Sequence, residues 1–224
     1  MRRRAWRPGR ARPLLGPGAQ RRWAWVLLGT CVVIVVALGA AFAHQTTADG
    51  FDRVIDDPVI RWLGPDQGLL DWMQFPGTQV PAAVFSLAMA IAALAGRRVN
   101  GAVLALVADF IATRLDELLF KPLFDRTYLG AVSYPSGHTT SVVSILAVYV
   151  VLFVLPARGG RGLAWRLAGL VVLVALAVIA VVGVIGLRWH YFTDTVGGAA
   201  VAVGTVCALS LLIDAASRWR RRAD

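Results

Sequence analysis

The sequence predicts an all-α membrane protein, a bundle of six transmembrane helices with both termini in the cytoplasm. Three observations carry this expectation. Of 224 residues, 58% are hydrophobic and the mean hydropathy is +0.65, too apolar for a soluble domain of this size. Apolar runs close to the roughly 20 residues needed to cross a bilayer recur along the chain. Basic residues cluster at the ends of those runs, on one side of the presumed membrane.

The spans are expected at about 25–43, 80–95, 101–120, 139–155, 164–187 and 195–213. The second run is short, and the third carries Asp109, Arg114, Asp116 and Glu117, so hydropathy alone does not decide the third. Charge does. With six crossings, the Arg-rich amino-terminal segment, Arg97, Arg98, Arg158, Arg161, Arg166 and the carboxy-terminal Arg218, Arg220, Arg221 and Arg222 share one side. Positively charged short loops stay in the cytoplasm, so the segments 44–78, 121–138 and 188–194 face out. Dropping the third run would set the two basic tails on opposite sides.

Residues 1–22, rich in Arg, Pro and Gly, show no apolar periodicity and read as a disordered basic tail near lipid headgroups. Residues 23–214 read as one membrane domain and 215–224 as a second basic tail. The first span reads as an uncleaved anchor. The net charge of +10 is explained by topology and by anionic headgroups at the tails, so no nucleic-acid partner is expected. Cys31 and Cys207 fall inside spans, without metal-ligand spacing, and read as packing residues. In 44–78, the stretch from Gly50 to Gly64 interleaves apolar and charged residues at helical spacing, an interfacial segment broken near Pro58. The last span is crowded with small residues, among them Gly197, Gly198, Ala200 and Gly204, as close helix packing in lipid requires.

The chemistry gathers on the outer side. Of the 23 basic residues only Lys121 is lysine, and it stands where the third span ends. Pro122 disfavours helix at the residue before it, and Glu117 lies one turn earlier on the same face. Next come Arg126 and the stretch Ala131 to Ser141. There Ser136 is suited to cap a helix, Gly137 lets a backbone approach a ligand, and His138 falls in the first turn of the fourth span. A helix amino terminus favours anions such as phosphate. A second histidine, His190, is followed by Asp194 at i+4. On a continuous helical turn that carboxylate would hold the imidazole at Nδ1 and leave Nε2 to attack. Arg188 adds a guanidinium able to bind phosphate oxygens bidentately. Two histidines, a carboxylate and the cations Lys121, Arg126 and Arg188 suit phosphate-ester hydrolysis through a phosphohistidine. Two histidines and an aspartate are also zinc ligands, but surrounding cations favour an anion over a divalent metal.

These residues resemble the type 2 phosphatidic acid phosphatase family, whose core is related to vanadium haloperoxidases. Pro135, Ser136, Gly137 and His138 match its central motif, His190 with Asp194 matches the core of its last motif, and Lys121 stands in the first. Two departures occur. The family's first arginine lies seven residues after the lysine, where this chain has Tyr128, and Arg126 lies at plus five. The last arginine lies six residues before the histidine, where Val184 stands, while Arg188 lies one helical turn further on. Both arginines are expected to be relocated phosphate ligands. The resemblance implies His190 as nucleophile, Asp194 as its orienting partner and His138 as general acid. It places Lys121, Arg126, Ser136, Gly137 and Arg188 around the phosphate and implies no metal or other cofactor.

The implied function is a phosphatase acting on a lipid phosphate or pyrophosphate at the outer leaflet, such as a polyprenyl pyrophosphate, phosphatidic acid or phosphatidylglycerol phosphate. Two alternatives stay open: a phosphotransferase with a lipid or sugar acceptor, and a non-catalytic lipid-binding or transport protein in which Asp109 and Arg114 line a pathway. Haloperoxidase activity is disfavoured by the six spans. Arg, Ala, Val and Gly in place of Lys, Ile and Asn suit a GC-rich bacterial genome, hence a bacterial cell membrane.

Overall fold

The computed structural model describes residues 12–16, 18–156 and 162–223, with side chains up to 220. The chain is mostly helical. Helices α1 (Ala19–Phe42), α2 (Gly50–Leu63) and α3 (Gln67–Gln74) lead through a 3-10 turn (Phe75–Gly77) into α4 (Gln79–Ala95). Helix α5 (Val99–Leu115) continues through a π turn (Asp116–Phe120) into α6 (Lys121–Phe124). A hairpin of β1 (Thr127–Tyr128) and β2 (Ala131–Val132) follows, then α7 (Gly137–Tyr149), which ends in a second π turn (Val150–Val154), α8 (Leu163–Gly186) and α9 (Phe192–Ala223).

Five segments are long and apolar enough to cross a membrane: Ala19–Phe42, Gln67–Ala95, Gly137–Val154, Leu163–Gly186 and Phe192–Arg220. The short run expected at 80–95 gains its length from α3 and the turn after it. The run expected at 101–120 is α5 with its π turn. It packs against α4, α7 and α9, and its polar residues set it apart from the five.

Helix α9 is the spine, flanked by α1, α5 and α7. The main core lies between α4, α5, α7 and α9, where Leu104, Ala105, Ala108, Ile145, Val148, Leu152 and Val206 are buried. The opposite faces of α1, α4 and α8 present bare aliphatic side chains, among them Val33, Val84, Ile91 and Val171. That outward apolar surface is the one a lipid environment accommodates.

The glycines of α9 set how closely α7 approaches. A Cβ on Gly198 would meet the Ser136 carbonyl oxygen at 2.5 Å, and one on Gly197 would strike the Tyr134 ring. Tyr134 is fully buried there and its hydroxyl donates to the Val35 carbonyl at 2.8 Å, tying α1 to the entry of α7. Thr140 Oγ1 donates to the Gly198 carbonyl at 3.2 Å.

Several expected boundaries shift. Pro58 does not break α2, which runs through it, because proline forfeits one donor and the rest of the turn is held by Asp52 and Asp56, both buried against α9. Pro122 does not end the third span at Lys121. It occupies the opening of α6, where a missing N–H costs least, and the helix stops at Asp125 in a left-handed conformation (φ 46°). The amino-terminal segment does not stay unstructured up to residue 22. Helix α1 begins at Ala19, and the N–H groups of Leu14 and Leu15 donate to the buried Asp214 carboxylate at 2.8 and 3.0 Å. Arg2, Arg3, Arg4, Arg7 and Arg10 of the predicted tail lie outside the described residues, as do Arg158 and Arg161. The predicted tail 215–224 continues α9 as far as Ala223.

Gly198→Ala is expected to lower stability by about 1–3 kcal/mol, because the obstructing atom is backbone; thermal unfolding in detergent, with Gly204→Ala as comparison, checks this.

Candidate active site

Helix α7 starts where local chemistry says it should. Ser136 has extended backbone, and its hydroxyl accepts from Thr139 N–H at 3.4 Å and from Thr139 Oγ1 at 3.1 Å. Ser136 N–H donates to the Asp194 carbonyl at 3.0 Å. Gly137 and His138 therefore open the helix with N–H groups that no intrahelical carbonyl can reach, at the end of the dipole that favours anions. Gly137 has no room for a side chain without pressure, since a Cβ would lie 3.2 Å from Asp116 Oδ2 and 3.5 Å from Glu117 Oε1.

Gly137 and His138 line a cleft of about 1010 Å³. Its other walls are Arg188, Trp189 and His190 from the α8–α9 connection, Arg114, Glu117 and Lys121 from α5 and its continuation, and Tyr128 and Leu129 from the hairpin. The His138 and His190 rings stand 6.4 Å apart, and Trp189 lies 5.5 Å from His138. Lys121 Nζ pairs with Glu117 Oε1 at 2.5 Å, the expected one-turn neighbour. Arg188 and Arg114 are exposed and have no ion pair among the described residues; Arg114 lies over the Phe110 ring at 5.3 Å. A second cavity of about 340 Å³ between α1, α5 and α9 is lined by no charged side chain and offers nothing for this chemistry.

His190 is held differently from the expectation. It precedes α9, which begins at Phe192, so His190 and Asp194 do not share a continuous helical turn. Its Nδ1 lies 2.8 Å from the Ser133 carbonyl and 3.9 Å from Asp194 Oδ2. A carbonyl only accepts, so Nδ1 carries the hydrogen and Nε2 keeps its lone pair. Burial pushes the His190 pKa down to about 3, the neighbouring His138 and Lys121 add to this, and the Ser133 hydrogen bond opposes it. The ring is neutral at physiological pH. Asp194 instead accepts from Tyr191 N–H at 2.9 Å and from Arg126 Nη1 at 2.6 Å, which positions the turn carrying His190.

Arg126 is not at the cleft. It is fully buried, with Nη2 donating to Asp52 at 2.6 Å and Nη1 to Asp194 and Thr193 at 2.6 and 2.7 Å. The guanidinium lies between the Phe42 and Tyr191 rings, 4.4 and 4.2 Å from their centroids. Both charged ends are occupied, so Arg126 does not serve as a phosphate ligand in this arrangement. Ser136 is also fully buried, its hydroxyl spent on the helix cap, and stands behind the cleft. Lys121, Gly137, His138, Arg188 and His190 do meet there. Arg188 reaches it by a different route from the one expected. Val184 is buried inside α8, while Arg188 lies past the helix end with φ 59°, so the turn rather than a shared helical face presents the guanidinium.

Sequence reasoning passed over Asp52 and Asp56. Asp52 accepts from Thr193 N–H at 2.9 Å and Asp56 from Phe192 N–H at 3.2 Å, so two carboxylates of α2 cap the start of α9. Their i, i+4 spacing was the available signal, masked by neighbouring charges that resemble a solvated face. Arg114 was also passed over as a site residue. Its spacing of three and seven residues from Glu117 and Lys121 marks one helix face.

Compared with family models, curated proteins and solved structures, the chain matches none.

Arg126→Met would leave Asp52 and Asp194 buried without their cation, an expected loss of about 3–5 kcal/mol, whereas Arg188→Met should leave the thermal midpoint nearly unchanged. Asp56 is pushed up to about 7 by burial and by the Asp52 charge, against the Phe192 N–H. The carboxyl is therefore more easily protonated folded than unfolded, and stability present below the ordinary value of 3.8 is lost as pH rises through about 7. Asp56→Asn keeps an acceptor for Phe192 N–H, so its midpoint should gain on the parent as pH is raised from 4 to 8.

Proposed function

We propose that the protein is a phosphatase of the type 2 phosphatidic acid phosphatase kind, hydrolysing a lipid phosphate or pyrophosphate without a metal. The observation that carries this reading is the imidazole of His190, neutral, with Nδ1–H committed to the Ser133 carbonyl. Its free Nε2 belongs to a ring 6.4 Å from a second histidine in the same cleft. Among the described residues no cluster of side chains is suited to hold a metal ion, and the cleft cations Lys121, Arg188 and Arg114 favour an anion instead.

In the first step Nε2 of His190 attacks phosphorus, a P–N bond forms, and the P–O bond to the lipid breaks as His138 gives a proton to the departing oxygen. In the second, His138 takes a proton from water, the oxygen attacks phosphorus, the P–N bond breaks and phosphate leaves. Lys121, Arg188 and the α7 N–H groups stabilise charge on the equatorial oxygens. Arg126 and Asp194 act indirectly, by positioning His190.

In this reading α5 and its continuation are the third of six spans, both termini are cytoplasmic, and the cleft opens at the outer leaflet of a bacterial cell membrane. Basic segments at the cytoplasmic ends meet anionic headgroups.

Phosphate release from phosphatidic acid and undecaprenyl pyrophosphate in detergent with excess EDTA tests the proposal. The parent should be active, and His190→Ala and His138→Ala should each lose about 100-fold or more. Activity abolished by EDTA and restored by a divalent metal would overturn the mechanism. Transfer of labelled phosphate to an added alcohol in preference to water would move the assignment to a phosphotransferase.

A further inference from the structure

The cleft does not end at the two histidines. Beneath them it continues between α4, α5 and α7, where Ser86, Asp109 and Ser141 line it. Ser141 lies three residues after His138, about 4.5 Å further along α7 at the helical rise. It is 4% exposed, and its hydroxyl lies beside the Asp109 carboxylate, to which it is placed to donate. The buried Oδ1 of Asp109 has no close hydrogen-bond donor among the described residues. No cation of the described residues pairs with Asp109, although Arg114 is on the same helix. Thr113 is already committed, its hydroxyl donating to the Asp109 carbonyl at 2.9 Å. Ser141 alone leaves most of that carboxylate's acceptor capacity open, and a carboxylate inside an apolar bundle is costly unless something supplies the missing donors.

We propose that Asp109, with Ser86 and Ser141, forms a subsite for a hydrogen-bond donor of the substrate, a hydroxyl or ammonium group within a few bonds of the phosphate. This rests on the phosphatase reading and names its substrate class. A carboxylate only accepts, so the complementary group must donate. A polyprenyl chain has no donor next to its phosphate and leaves the subsite unpaired. A lipid phosphate with a free hydroxyl or amine on the neighbouring carbon satisfies it. Discrimination of this kind is strong because the penalty falls on the buried polar groups of the protein when the donor is missing.

Two lipids differing by one oxygen test this: 1-acyl-glycerol-3-phosphate, with a free hydroxyl beside the phosphate-bearing carbon, and the matching acyl propanediol phosphate, which lacks it. Binding to the His190→Ala protein, measured by native mass spectrometry in competition, should favour the hydroxylated lipid by about 10-fold or more. The parent should show the same preference in kcat/KM. Asp109→Leu and, independently, Ser141→Ala should reduce the preference by weakening the hydroxylated lipid alone. Equal binding of the two lipids overturns the subsite whether or not either is hydrolysed. A binding preference in a protein that releases phosphate from neither of these lipids, nor from phosphatidic acid or undecaprenyl pyrophosphate, upholds the subsite and overturns the phosphatase reading instead.

Discussion

Three charges are buried where α2, the β-hairpin and α9 meet, with Arg126 between Asp52 and Asp194. A guanidinium between two carboxylates is stable in an apolar surround only if each charge keeps its partners, and here the hydrogen bonds spread outward from it. Asp52 also caps Thr193 at the head of α9. The Arg126 carbonyl accepts from Ser133 N–H at 2.8 Å, and the Ser133 carbonyl holds Nδ1 of His190. The Asp194 carbonyl accepts from Ser136 N–H at the start of α7. Both histidines therefore inherit their positions from one buried cation that touches neither.

Around the cleft the logic is reversed. Arg114 and Arg188 are exposed and have no ion pair among the described residues, and only Lys121 is paired, to Glu117. Arg126 is spent on two buried carboxylates, whereas the guanidinium groups of Arg114 and Arg188 are not, so structural charge and cleft charge are kept on different residues. Burial serves His190 in the same spirit. It disfavours a second proton on the ring, while the Ser133 carbonyl selects the tautomer that leaves Nε2 open.

Close approach is the other constraint. Gly198 brings the α9 backbone against the Ser136 carbonyl, so α7 can begin beside Asp194. Without that proximity the hydrogen bond between Ser136 and Asp194 would not form, and the two histidines would be carried by segments with no common reference. The exposed aliphatic faces of α1, α4 and α8 contribute nothing to this geometry, and their composition answers only to an apolar surround.

What was legible in the sequence was whatever local spacing encodes. Apolar run lengths marked the five segments able to cross a membrane, with the charged run at 101–120 outside that set, Ser136 before Gly137 marked the start of α7, and the interval of four between Glu117 and Lys121 marked their ion pair. The order of Lys121, Gly137 with His138, and His190 identified the residues that meet at the cleft, with Arg188 beside them, while Ser136 of the same motif stands behind it. The partners of Arg126 were not legible. Asp52 and Asp194 lie 74 and 68 residues away, and a long side chain in a loop chooses between cleft and core only when the helices have packed. The same holds for the Ser133 carbonyl that displaced Asp194 at Nδ1, because a backbone acceptor leaves no mark in residue type. Local propensity determined which segments are helices and which residues are chemically able. Tertiary packing decided which of the able residues face the cleft, since burial and long-range hydrogen bonding are properties of the assembled bundle.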